Sequence, residues 1–100
     1  MIARTEHQPE AEAMAAKLLT WGHWHGPLTV QVMHDGENTW LLECNPRFGS
    51  GVTLSIEAGL DIPEWVLREC LGLPLPETQV SWRDGLCMTR CRRDYFQWLS

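Results

Sequence analysis

Four residues of this 100-residue chain combine types and spacings that could do chemistry: Gln31, Glu43, Asn45 and Arg47. Glu43 offers a carboxylate, and the side-chain carbonyls of Gln31 and Asn45 offer neutral oxygens. Such a set suits a hard cation like Mg²⁺, which takes one or two carboxylates and completes its octahedron with water and phosphate. Arg47 comes two residues after Asn45, and a guanidinium can grip two phosphate oxygens at once. The small residues Gly49, Ser50 and Gly51 leave backbone N–H groups within reach of an anion, and a helix expected after them aims its positive end the same way. The implied chemistry is metal plus phosphate. A glutamine and a glutamate on one hairpin face are usually just solvated polar residues. The run Glu43-x-Asn45-Pro46-Arg47, with glycines behind it, sets this pair apart.

Two strands must bring these groups together. Leu28 to His34 and Thr39 to Asn45 read as strands, and Asp-Gly-Glu-Asn between them is a hairpin signal. A three-residue loop, Gly36-Glu37-Asn38, would place asparagine at the left-handed position that such loops demand. In that register Gln31 faces Glu43 and Thr29 faces Asn45. On the other side Val30 meets Cys44, Val32 meets Leu42, and His34 meets Trp40. One face is nearly all apolar and suits a core, while the opposite face gathers oxygen-bearing side chains at one end.

The remaining elements frame this hairpin. Residues 9 to 21 carry a helical stripe of Ala11, Met14, Ala15, Leu18 and Leu19, with Pro9 in the first turn and Gly22 as the stop. A short helix is expected after the glycines, ending at Gly59. Asp61 and Glu64 have capping-box spacing before a helix that ends at Gly72. Leu86 to Trp98 reads as a long final strand, pairing with a short one near Gln79 to Trp82 across Asp84-Gly85.

The composition is that of an ordinary globular chain: 44% hydrophobic, 21% charged, net charge -5. The acidic balance argues against nucleic acid or an anionic membrane as partner. No apolar stretch has the length of a membrane span, and the first ten residues lack the apolar run of a secretory signal. A cytoplasmic location with reduced cysteines is expected. Cys44, Cys70, Cys87 and Cys91 show no zinc-site spacing and read as packing residues, with Cys87 and Cys91 on one face of the final strand. His23, His25 and His34 could be taken for metal ligands, but they have no fourth partner at a sensible spacing. The six tryptophans read as core anchors, some of which could instead cover an apolar surface that promotes self-association. Arg90, Arg92 and Arg93 could hold a phosphate or carboxylate, although a solvated strand face is the plainer reading. Ser55 and Glu57, on the short helix, are weaker substrate-contact candidates.

The stretch GPLTVQVMHDGENTWLLECNPRFGSGVTLSIEAGLDIP, followed by a helix and a late Met88-Thr89-Arg90, resembles the closing signature of ATP-grasp enzymes, in particular the carbamoyl-phosphate synthase large-chain-like branch. The resemblance runs over about residues 5 to 98, and residues 26 to 63 are its specific part. As in that branch, the strand glutamine, Gln31, stands twelve residues before the glutamate, Glu43. The resemblance implies an α+β fold, a mainly antiparallel sheet with packed helices. It implies that Glu43 bridges two Mg²⁺ (or Mn²⁺) ions, that Gln31 and Asn45 each bind one, and that Arg47 acts catalytically by steadying the γ-phosphate or the acyl phosphate. ATP and a small carboxylate are the implied substrates, with an amine, ammonia or thiol as the nucleophile.

ATP-grasp enzymes hold ATP between two lobes, and the adenine contacts and clamp lysines lie largely before this region. Lys17 is the only lysine and falls on a helix. Residues 1–100 are therefore expected to form one domain, the C-terminal part of an ATP-grasp domain, inactive without its N-terminal lobe. Two other readings stand beside this one: a non-catalytic interaction module that keeps the scaffold, and a small zinc protein.

Overall fold

The structure, a computed structural model, describes residues 1–76 and 81–100. Its elements are β1 (Ile2–Arg4), α1 (Pro9–Leu19), β2 (Thr29–His34), β3 (Thr39–Asn45), α2 (Val52–Glu57), α3 (Ile62–Cys70) and β4 (Cys87–Thr89). The fold is α+β with antiparallel pairing. The strands form two separate two-stranded sheets, β1 with β4 and β2 with β3.

Helix α1 begins at Pro9, whose missing N–H costs nothing in a first turn, and Glu10 and Glu12 sit at its positive end. It stops at Leu19, earlier than the periodicity suggests, and the Thr20 hydroxyl donates to the Lys17 carbonyl of the last turn at 2.6 Å. The helix packs on both strands of the β2–β3 hairpin, and its Leu18 is only 6% exposed. Along β2 the burial alternates as a half-covered strand requires: Val30, Val32 and His34 are partly buried, while Gln31 and Met33 are exposed.

Helix α3 starts as the capping spacing predicts, with the Asp61 carboxylate accepting from the Glu64 N–H at 3.2 Å. The Glu64 carboxylate does not reach back. It pairs instead with Arg68 one turn on, at 3.2 Å.

The second sheet departs from expectation. Strand β4 covers three residues, not thirteen, and its partner is the N-terminal β1, in the register Ile2↔Thr89, Ala3↔Met88 and Arg4↔Cys87. Thr5 fixes that pairing: its N–H donates to Leu86 at 2.8 Å, its hydroxyl to Arg83 at 2.7 Å, and its carbonyl accepts from Gly85 at 2.9 Å. Of the short strand expected near Gln79 to Trp82, Gln79 and Val80 lie outside the described residues, and Ser81 and Trp82 form no strand. Beyond Thr89 no regular structure forms, so Cys87 and Cys91 do not share a strand face. Without ladder partners the apolar residues there stay exposed, Phe96 at 92% and Trp98 at 99%.

The core is thin. Among the described residues only Leu18 and Ala58 are buried apolar side chains. Trp21, Trp24, Trp40 and Trp98 are exposed, contrary to a core role, whereas Trp65 and Trp82 are half-buried and Trp82 stacks on His7 at 4.2 Å. The radius of gyration is 16.8 Å, against about 13 Å for a compact chain of this length. Many large apolar side chains, Leu42 and Leu67 among them, are left exposed.

Candidate functional site

The hairpin turn sets the geometry of the site. The Asp35 carboxylate accepts from the N–H groups of Glu37 and Asn38 at 2.9 and 2.8 Å, and the Asp35 N–H donates to the Asn38 carbonyl at 3.2 Å. These bonds hold the Asp35 carboxyl below its ordinary pKa, the Asn38 N–H contributing most, the Glu37 N–H next and the nearby His34 less. The loop is thus Gly36-Glu37 alone. Gly36, at φ 101°, takes the left-handed position expected of Asn38, and no non-glycine residue among those described has positive φ.

The shorter loop shifts the register at the turn end, where His34 pairs with Thr39, Met33 with Trp40 and Val32 with Leu41. A bulge then restores the predicted register. Leu42 has no partner, and beyond it Gln31 faces Glu43, Val30 faces Cys44 and Thr29 faces Asn45. The expected contacts of Val32 with Leu42 and of His34 with Trp40 are therefore replaced, while the pairing of Gln31 with Glu43 holds. Met33 and Trp40 extend the face of Gln31 and Glu43 with exposed apolar side chains.

Gln31, Glu43, Asn45 and Arg47 line a single cleft of about 400 Å³ together with Thr29, Gly49, Ser50 and Gly51. The Asn45 side-chain amide donates to Glu43 Oε1 at 2.9 Å, which orients the carboxylate and leaves its second oxygen and the Asn45 side-chain oxygen, Oδ1, for other partners. The Arg47 N–H donates to the Asn45 carbonyl at 2.8 Å, turning the chain at Pro46, and Arg47 Nη1 donates to the Phe48 carbonyl at 3.0 Å. The Thr29 hydroxyl donates to the Arg47 carbonyl at 2.8 Å and ties the turn back to β2. Gly49 packs directly on Thr29: a Cβ there would lie 3.1 Å from Oγ1 and 3.2 Å from Cγ2. Among the described residues, none of the N–H groups of Gly49, Ser50 and Gly51 donates to a backbone carbonyl.

Arg90 belongs to this neighbourhood, although its sequence setting favoured a solvated face. Its Nη2 donates to the Ser50 carbonyl at 2.6 Å, bracing the glycine turn from the second sheet. The signal for it was weak, because it depends on β1 and β4 pairing across the whole chain. Arg92 and Arg93 stay in the exposed C-terminal segment, Arg93 lying over the Tyr95 ring at 5.5 Å. His34 Nδ1 is bound to Thr39 at 2.8 Å, and His25 lies 3.5 Å from Glu69. Among the described residues no three His, Cys, Asp or Glu side chains gather into a metal cluster.

The donor set of the cleft fits a magnesium ion of the kind that keeps most of its ligands from water and phosphate. It offers hard oxygens only, with a single negative charge. A cation would be held weakly here until phosphate oxygens joined it.

Over residues 1–93 the chain matches the family described as "ATP-grasp in the biosynthetic pathway with Ter operon", and it belongs to that ATP-grasp family. No curated protein and no solved structure matches it significantly. No helix among the described residues is long and apolar enough to cross a membrane.

Proposed function

We propose that this chain is the Mg²⁺- and phosphate-binding C-terminal half of a biosynthetic ATP-grasp ligase, of carbamoyl-phosphate synthase-like type, which activates a carboxylate as an acyl phosphate. The observation that carries this reading is the direct pairing of Gln31 with Glu43 on the face that also bears Asn45, with Arg47 on the same cleft. Glu43, Gln31 and Asn45 would hold the metal. Magnesium, or manganese in its place, neutralises the charge of the phosphate oxygens when bound.

In the first step an oxygen of the substrate carboxylate attacks the γ-phosphorus of ATP, and the bond to the β–γ bridging oxygen breaks as ADP leaves with its electron pair. In the second, an amine or similar nucleophile attacks the acyl carbon, losing a proton, and phosphate departs with the carbon–oxygen pair. Arg47 serves both steps by holding phosphoryl oxygens in line, and the free N–H groups of Gly49 to Gly51 add donors at the same place. Arg90 positions that turn without touching the reacting atoms.

The adenine pocket and the opposing phosphate grip belong, in this proposal, to an N-terminal ATP-grasp lobe. The thin core and the exposed Met33 and Trp40 beside the oxygen face support a covering partner of that kind. Four free cysteines and the use of ATP support a cytoplasmic setting.

Titration with magnesium and ATP at millimolar levels should shift the amide signals of Gln31, Glu43 and Asn45. Shifts confined to other residues would remove the assignment. A second reading, a non-catalytic module that binds or self-associates through apolar surface, draws on the exposure of Tyr95, Phe96, Trp98 and Leu99. Concentration-dependent association combined with spectra indifferent to magnesium and nucleotide would favour it.

A further inference from the structure

The Arg47 turn also lines a second cleft. It measures about 310 Å³ and is walled by Leu28, Val30, Phe48, Val52 and Ile62, with the Ser55 hydroxyl among them. Thr29, Val30, Arg47, Gly49 and Gly51 line both clefts, so the oxygen-rich space and the apolar one meet at the arginine. The volume stands at the lower end of small-molecule sites. It suits a short aliphatic chain or a single ring, not a nucleotide.

Arg47 carries the only charge in this second lining, and Nη1 is the nitrogen it commits to the Phe48 carbonyl. A carboxylate placed at the rim therefore meets a guanidinium with N–H groups to spare. Against Leu28, Val52 and Ile62, a charged or heavily hydroxylated substituent would lose water with little to replace it, whereas a hydrocarbon would exchange water for apolar contact.

We propose that the apolar cleft selects the substrate as a monocarboxylic acid with an aliphatic or aromatic side chain, seated with its carboxylate toward Arg47. Bicarbonate and dicarboxylates are thereby disfavoured. This rests on the ligase reading for the identity of the reacting group, but the preference for hydrocarbon rests on the cleft alone.

Amide spectra of the 100-residue chain, titrated with 4-methylpentanoate, 3-phenylpropanoate, succinate and acetate, test it. The first two should shift Phe48, Val52, Ser55 and Ile62 saturably, at concentrations at least tenfold below those needed for succinate or acetate. Ser55→Leu, which fills the cleft, should abolish these shifts. If that variant disturbs the hairpin signals, Val52→Thr, similar in shape but polar, should instead weaken binding several-fold. Equal response to succinate and 4-methylpentanoate, or shifts centred on Met33 and Trp40, would overturn the proposal. Loss of the magnesium–ATP response with selective carboxylate binding intact would count against the ligase reading and support the cleft's preference. The reverse pattern would sink this inference alone.

Discussion

Arg90 reaches from the end of β4 to the turn before α2, where Nη2 donates to the Ser50 carbonyl at 2.6 Å. This bond is a polar link between the β1–β4 sheet and the turn that lines the cleft of Gln31 and Glu43. A second contact runs beside it, from the Thr53 hydroxyl to the Met88 sulfur at 3.6 Å.

Arg90→Ala should therefore loosen the turn more than it destabilises the protein. The bond is solvent-exposed, and its loss is expected to cost about 1 kcal/mol or less. Amide exchange at Val52 and Leu54, whose N–H groups donate to the Gly49 and Gly51 carbonyls, should accelerate several-fold, with the hairpin amides unchanged. Uniform acceleration throughout would mean that Arg90 supports the whole fold and not the turn.

Gly49 and Thr29 are in close contact. Gly49→Ala would set a methyl 3.1 Å from the Thr29 hydroxyl oxygen and 3.2 Å from its methyl. A β-branched strand residue has little rotamer freedom to yield, so a loss of about 1–3 kcal/mol in denaturant unfolding is expected. Combining it with Thr29→Ala should be less damaging than the sum of the two single losses. Strict additivity would show that the contact is relaxed in solution.

The pH dependence of the hairpin should centre on Asp35. Its carboxyl is held below the ordinary value because it accepts from the Asn38 and Glu37 N–H groups. A depressed acid contributes stability that is complete above its unfolded value, about 3.9, and is lost as pH falls through the lower folded value. The transition reported by the Asn38 amide should thus have its midpoint below the ordinary aspartate value, and Asp35→Asn should remove it. A midpoint at or above the ordinary aspartate value would contradict the turn geometry.

The pairing of Gln31 with Glu43 is expected from the sequence and is present, although the turn it is argued from is not. That expectation rests on a three-residue loop; the two-residue loop that forms instead shifts the register by one until the bulge at Leu42 restores it. The turn itself was misjudged, since a glycine at φ 101° and the Asp35 carboxylate together permit a two-residue loop, and Leu42 absorbs the difference as a bulge. Strand β1 left no periodic signal, being three residues long and dependent on a partner more than eighty residues away. The final strand was read too long because apolar residues such as Tyr95 and Trp98 suggest a ladder, but beyond Thr89 the chain joins neither sheet. Arg90 is named from the sequence as an anion-binding candidate, but its contact with the Ser50 carbonyl follows from the pairing of β1 with β4, which spacing alone does not encode.

The central claim is that the Gln31, Glu43 and Asn45 oxygens receive a divalent cation together with phosphate. Paramagnetic broadening by substoichiometric Mn²⁺, recorded with and without ATP, tests it most directly. Signals of Gln31, Glu43 and Asn45 should broaden first and more strongly with ATP present, and Glu43→Gln should abolish the effect while the remaining spectrum stays intact. Broadening centred instead on His23 and His25, or on the Asp35–Glu37 turn, and indifferent to Glu43→Gln, would contradict it.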